Sequence, residues 1–270
     1  MTTRPQQGRL WIVGLGPGAA AMQTPQATAA LTAATDLVGY ATYLERVPLR
    51  PGQVRHGSDN RVELERARHA LGMAAAGRAV AVVSSGDAGV FAMASAVFEA
   101  VEAGPPAWRA LEIEVVPGIS AMFAAAARLG APLGHDFCAL SLSDNLKPWP
   151  LVLHRLTAAA AAGFVLALYN AASQARPWQL GAALDALRPV LPGSTPVAFA
   201  TAVSRPDECI TLATLATADP ARADMRTLVL IGSAATRTIE RPGAEPYLYT
   251  PRRAAPCRAA PCRAASCRAT

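Results

Sequence analysis

The sequence predicts an α/β protein of two lobes. Apolar runs alternate with Ala-rich, helix-like segments along most of the chain. Several of those runs are continuously apolar rather than alternating, as strands covered on both faces are. A turn-rich stretch, "RLGAPLGHD" (Arg128 to Asp136), interrupts the pattern near the middle. With 270 residues, 52% of them hydrophobic and 16% charged, the chain is long enough for one large domain or two smaller ones. The expected division is a first lobe over 1–134, a second over 135–250 and a disordered Arg/Cys/Ala/Pro tail over 251–270.

Each element has its own signal. Strands are expected at Leu10–Leu15, Asp36–Val38, Ala79–Val83, Ile113–Val116, Phe137–Leu142, Phe164–Tyr169, Pro196–Ala200, Ile210–Leu215 and Thr227–Ile231. Helices are expected at Pro25–Ala34, Arg61–Ala76, Val90–Ala103, Ile119–Leu129, Pro150–Ala162 and Pro177–Leu187, with a short one near Arg222. Thr24 followed by Pro25 is a helix start, an N-cap and then proline at the first helical position. Helical spacing places Val90, Met93, Val97 and Val101 on one face of the third helix, and Ile119, Met122, Phe123 and Ala126 on one face of the fourth.

Composition narrows the function. Five of the 25 Lys and Arg residues lie in the last twenty positions, which hold no acid, so the body is close to neutral. It lacks the basic patches interleaved with aromatics that nucleic acid requires. No apolar run reaches the length of a membrane span, and the N-terminus lacks a signal-peptide pattern, so a cytoplasmic enzyme is expected. Cys257, Cys262 and Cys267 recur every five residues in the tail, which is not zinc spacing. Cys138 and Cys209 sit in apolar contexts and read as buried thiols. His56, His69, His135 and His154 have no ligand spacing; His69 reads as lying on a solvated helix face. No Walker lysine, H-E-x-x-H, nucleophile elbow or C-x-x-C occurs, so no metal site is expected and no covalent nucleophile is visible.

The loops at strand ends carry the chemistry, because ligands of open α/β sheets bind at the carboxyl edge. "GLGPG" places Gly14, Gly16 and Gly18 around Pro17, but not in dinucleotide spacing. "SSGDAG" offers an accessible backbone and Asp87, which reads equally as a ligand contact or as a cap for the following helix. Pro117 and Gly118 make a turn that leaves Ser120 at a helix start. "DNLKPWP" gathers Asp144, Asn145, Lys147 and Trp149, and "LALYN" ends a strongly apolar strand on Asn170, with Arg176 downstream.

Taken together, "IVGLGPG", "GYATYLERV", "VAVVSSGDAGVFAMA", "VVPGISA", "GHDFCALSLSDNLKPW", "FVLALYN" and "TLVLIG" resemble the tetrapyrrole (corrin-pathway) S-adenosylmethionine methyltransferases over about Leu10 to Arg237. The resemblance is nearest to the branch that methylates C17 of precorrin-3B with ring contraction to precorrin-4. Another corrin-pathway methyltransferase, such as one acting at C11, or the cobalt-precorrin-3B version of the reaction, is the alternative. The implied fold is two α/β lobes, each a mixed sheet flanked by helices, with a ligand cleft between them. A homodimer, and neighbouring corrin-pathway enzymes as partners, are implied too. The implied donor contacts are Gly86, Asp87, Val90, Phe91, Ser120, Ala121, Asn170, Val203, Thr227 and Leu228. Gly14, Gly16, Pro17 and Gly18 would border the tetrapyrrole, and Lys147, Arg176 and Arg205 would hold its carboxylates. Asp87, Asp144 and Lys147 are candidates to move a proton or steady an acyl oxygen during contraction. S-adenosylmethionine is the implied methyl donor, with no metal required.

Overall fold

The computed structural model describes residues 8–59, 62–173 and 175–253. The chain divides into two compact units that interleave along the sequence. The first gathers the chain up to Ala125 with Phe199–Thr211 and Arg226–Leu228; the second gathers Ala126–Ala198, Leu212–Met225 and the chain from Val229 on. The expected disordered tail beyond Arg253, with Cys257, Cys262 and Cys267, lies outside the described residues.

The first unit is built on β1 (Arg9–Gly14), α1 (Pro25–Ala33), β2 (Asp36–Tyr40), α2 (Ala41–Leu44), β3 (Val54–Ser58), α3 (Glu63–Ala75), β4 (Ala79–Ser84), α4 (Met93–Ala103) and β5 (Glu112–Val116), with α5 (Ala121–Leu129) following. The strands pair in the order β3-β2-β4-β1-β5, and every pairing is parallel. Parallel register puts all five carboxyl ends on one edge, Gly14 beside Ser84 and Val13 beside Val116. Side chains alternate across the sheet. Leu10, Ile12, Val80 and Val82 therefore pack with α3 and α4 on one face. Trp11, Val13, Ala81 and Val83 pack with α1 and α2 on the other. Two covered faces explain why these strands are continuously apolar.

The chain continues with β6 (Gly130–Ala131), β7 (Phe137–Ser141), α6 (Trp149–Ala161), β8 (Val165–Tyr169), α7 (Gln179–Leu187), β9 (Pro196–Thr201), β10 (Cys209–Thr214), β11 (Thr227–Ile231), β12 (Arg237–Arg241) and β13 (Ala244–Tyr249). The second five-stranded sheet has the order β10-β9-β11-β8-β7. It is mixed, with β7 parallel to β8 and β11 antiparallel to it. A β12-β13 hairpin pairs through β13 with β6 in a third, small sheet.

Several details differ from the sequence expectation. β3 is an added edge strand; its "VRHGS" is mostly exposed, so it has no apolar signature. The β12-β13 hairpin was likewise hidden by mixed polarity. Helix α5 buries Met122, Ala124, Ala125, Ala126 and Leu129, while Phe123 stands half exposed; its small residues make the packing face. Cys209 is exposed and Cys138 only partly buried, because Cys209 opens β10, an edge strand. His69 lies exposed on α3 as expected, and its ring is 5.3 Å from that of His56 on β3. With Ser58, Glu65 and Arg66, the two rings line a cavity of about 340 Å³.

A buried charge pins β2. Asp36 is fully buried. Its carboxylate accepts from Arg78 Nε at 2.6 Å and Nη2 at 2.8 Å, from Thr35 Oγ1 at 2.7 Å, and contacts His56 Nε2 at 2.9 Å. Burial pushes the carboxyl pKa up, but the hydrogen bonds from Arg78, Thr35 and His56 outweigh it and hold it at about 2, against an ordinary 3.8. A depressed folded-state pKa stabilises the fold above the unfolded value and loses that stability as the pH falls through the folded one. Folding stability should therefore drop between about pH 4 and pH 2 by about 1–2 kcal/mol from this group, after allowing for screening at the exposed Arg78. Asp36→Asn should be less stable at neutral pH and should lose that part of the acid dependence, as read by urea unfolding across this range.

Candidate functional site

The carboxyl edge of the first sheet is a junction of three loops without side chains between them. Gly16 N donates to Gly86 O at 3.0 Å and Gly86 N to Gly16 O at 2.9 Å, and Leu15 N donates to Ser84 O at 2.9 Å. A Cβ placed on Gly118 would lie 2.2 Å from Gly86 O and 2.8 Å from the Gly14 carbonyl; one on Gly14 would lie 2.7 Å from Gly118 N. Real Cβ atoms do not come that close, so the loops after β1, β4 and β5 can meet only as bare backbone. Gly16 and Gly86 also hold φ of 72° and 68°, where a side chain is strained.

Asp87 locks this junction. Its Oδ1 accepts from Gly89 N at 2.8 Å and its Oδ2 from Gly118 N at 3.0 Å. The alternative reading of Asp87 as a helix cap is corrected. Helix α4 begins at Met93, later than the expected Val90, and Met93 N donates to Ser84 Oγ at 3.3 Å. Thr24, in contrast, caps α1 as expected, accepting from Ala27 N at 3.1 Å, and its hydroxyl donates to Pro117 O at 3.3 Å.

Two arginines converge on the same glycine loop. Arg46 donates through Nη2 to Gly16 O at 2.9 Å and through Nη1 to Ser85 Oγ at 2.8 Å. Arg205 reaches the next carbonyl, with Nε 3.4 Å from Pro17 O. Its Cγ lies 2.5 Å from where a Gly18 Cβ would be. Ser204 Oγ accepts from Ala19 N at 2.9 Å. Burial first, and then the Arg205 charge, pushes the Arg46 pKa down. Arg205 was expected from the sequence, but Arg46 and its neighbour Tyr43 were not. They sit in "GYATYLERV", which carried the family resemblance without a role for either residue.

Phe91, Ala202 and Ser204 in the first unit, and Asn170 in the second, are the described non-glycine residues with positive φ, at 51°, 50°, 65° and 54°. Such left-handed backbone clusters at functional sites. Phe91 is 50% exposed, next to the partly buried Val90. Ser120 is buried beside Ala121, the first residue of α5. Val203, Thr227 and Leu228 are buried, and the Thr227 hydroxyl shares a 2.7 Å hydrogen bond with Thr201. These three can therefore offer a ligand mainly backbone. Gly14, Gly16 and Pro17 are also buried; Gly18 is partly open.

In the second unit, Asn170 Nδ2 donates to Ser141 Oγ at 2.8 Å. Arg176 Nη1 donates to Ser143 Oγ at 3.1 Å, to Asp144 Oδ1 at 3.3 Å and to Asn145 Oδ1. Arg176 thus organises the Asp144 loop through one nitrogen. The same arrangement occupies Asp144, whose Oδ1 also lies 3.4 Å from Gln179 Nε2. Burial, then the Arg155 charge, pushes the Lys147 pKa down. Trp149 packs edge-on against Trp178, with ring centroids 4.9 Å apart. Among the described residues no three His, Cys, Asp or Glu side chains group to hold a metal ion. No helix there is long and apolar enough to cross a membrane.

The junction predicts its own fragility. Gly118→Ala should lower stability by about 3 kcal/mol, since backbone must move to admit the methyl. Asp87→Ala should cost about 1–3 kcal/mol by leaving Gly118 N unpaired. Denaturant unfolding checks both, and an unshifted midpoint for Gly118→Ala would show that the loops are not packed backbone on backbone.

Residues 9–219 match the family described as Tetrapyrrole (Corrin/Porphyrin) Methylases. The chain is 57% identical over 245 residues to a precorrin-3B C(17)-methyltransferase from Sinorhizobium sp, covering 91% of this chain and 96% of the relative. It is 49% identical over 250 residues to the cobalamin biosynthesis protein CobIJ of Mycobacterium bovis; that match covers 91% of this chain and 48% of the relative. A crystal structure of the methyltransferase CobJ superposes with a TM-score of 0.86 at 52% identity, covering 90% of this chain and all of the other. With the family's match spanning most of the sequence, and with close relatives aligned over nearly its whole length, the chain belongs to the tetrapyrrole (corrin/porphyrin) methylases.

Proposed function

We propose that this protein transfers a methyl group from S-adenosylmethionine to C17 of precorrin-3B, a step of cobalamin biosynthesis, with ring contraction to precorrin-4. The observation that carries the reading is the side-chain-free junction of Gly14, Gly86 and Gly118, in a chain 57% identical to a precorrin-3B C(17)-methyltransferase. The junction suits a donor held by backbone groups. A Cβ on Gly86 would stand 3.7 Å from Ala121 N, the first amide of α5, and 3.8 Å from Ser120 Cα. Glycine leaves that helix start within a ligand's reach, so the residues present fit the donor.

S-adenosylmethionine supplies an electrophilic methyl on a positively charged sulfur. The protein's part is then alignment, which explains the lack of an activated nucleophile. Gly86, Asp87, Val90, Phe91, Ser120 and Ala121 would seat the donor, with Val203, Thr227 and Leu228 contributing backbone. Asp87 does this as a positioning residue, through Gly118. Lys147, held below its ordinary pKa by burial and the Arg155 charge, is the better candidate for proton transfer during contraction. Asp144 is tied to Arg176. We also propose that the enzyme works in the cytoplasm as a homodimer, to which the half-exposed Phe98 and Phe123 contribute apolar surface.

The test uses donor labelled with carbon-13 in its methyl group. Purified protein with this donor and precorrin-3B should yield a ring-contracted product whose labelled methyl is assigned by NMR to C17. Unchanged substrate under conditions where a control C17 enzyme works, or a label at C11, would overturn the reading.

A further inference from the structure

We propose that Tyr43, Arg46 and Arg205 form one recognition site for a carboxylate on the periphery of the tetrapyrrole, lying against the Gly16–Gly18 loop. The proposal rests on the function stated above and identifies which part of the substrate this edge of the first unit reads.

The geometry begins with two cations on consecutive carbonyls. Arg46 holds Gly16 O and Arg205 reaches Pro17 O. Adjacent carbonyls bring the two guanidiniums close together, although like charges repel. No carboxylate lies within ion-pair distance of either among the described residues. Of the acids that follow Arg205, Asp207 pairs with Arg226 and Glu208 accepts from Ser204 N. Arg46 is largely committed, to Gly16, Leu15 and Ser85. Arg205 makes one long contact, through Nε, and among the described residues neither of its terminal nitrogens has an acceptor. That is the two-pronged face that binds a carboxylate in parallel.

Tyr43 completes the set. It sits on α2, three residues before Arg46, with its ring packed edge-on to Tyr40 at 5.3 Å. Its hydroxyl has no hydrogen-bond partner among the described residues. Its backbone carbonyl accepts from Arg46 N at 3.2 Å, which ties the two residues together; burial pushes the phenol pKa up, and the Arg46 and Arg205 charges act against it. A phenolic O–H three residues from Arg46 adds a donor to the two guanidiniums on this loop, and an anion supplies the acceptor such a set lacks.

The charge of this site separates two sources of carboxylate. The methyl donor carries a carboxylate but also a sulfonium, which a pair of cations repels. The tetrapyrrole carries several carboxylates and no compensating cation. The site is therefore assigned to the tetrapyrrole.

Steady-state kinetics with precorrin-3B, combined with calorimetry for S-adenosylmethionine, tests this. Arg205→Gln should raise KM for precorrin-3B roughly tenfold or more and leave kcat and donor affinity within about twofold. Tyr43→Phe removes only a hydroxyl with no partner among the described residues, so it should fold normally and raise KM roughly threefold. The wild-type KM should rise with ionic strength, and more steeply than that of Arg205→Gln. Unchanged KM in both variants, or weakened donor binding with KM unchanged, overturns the assignment. If the wild-type protein leaves precorrin-3B unreacted, the functional reading fails and this assignment with it. If it turns over while the variants match it, only the assignment fails.

Discussion

The molecule depends on a contact between three pieces of bare backbone. Parallel strands β1, β4 and β5 deliver their carboxyl ends to one edge, and the loops that leave them would collide if residues 14 or 118 carried a Cβ. Closely packed amides and carbonyls must pair or suffer the cost of burial without a partner. They pair with each other between Gly16 and Gly86, and with Asp87 at Gly118. One carboxylate thus completes the hydrogen bonding of a surface that has no side chains of its own.

Around that neutral junction, charge is distributed unevenly. The buried Asp36 is enclosed by Arg78, Thr35 and His56, a satisfied arrangement on β2 that holds the sheet's outer strands. Arg46 and Arg205 are the opposite case: two cations drawn to neighbouring carbonyls with no acid among the described residues to neutralise them. A structural ion pair explains the first. The second costs electrostatic energy in the free protein, which an anionic ligand relieves. In the second unit, Arg176 shows that a basic residue in a suggestive loop can be engaged within the protein, since its Nη1 is spent on Ser143, Asp144 and Asn145.

Much of the architecture was legible because burial on both faces leaves continuous apolar strands. Each of the nine expected strands is present, and Thr227–Ile231 has the expected bounds. What stayed hidden was whatever lacked a burial pattern. The edge strand "VRHGS" faces solvent along most of its length, and the β12-β13 hairpin mixes polar and apolar residues. Helix α5 packs through alanines, so a reading that favoured its large side chains placed Phe123 on the wrong face. The site was legible as loops, through their glycines and their position after strands. It was not legible as contacts. Asp87 reaches a residue 31 positions away and Arg46 one 30 positions away. No local pattern encodes such partners.

The sequence by itself determined the α/β class, the strand-end loops that matter and the family to which they belong, because glycine positions and apolar periodicity are local properties. Only the tertiary structure decided what those residues do. It made Asp87 the lock of a backbone junction rather than a helix cap, turned Arg176 toward the Asp144 loop, and brought Arg46 and Arg205 to one glycine loop. Each outcome depends on which distant backbone groups need a partner once the strands align, and that demand does not exist until the chain has folded.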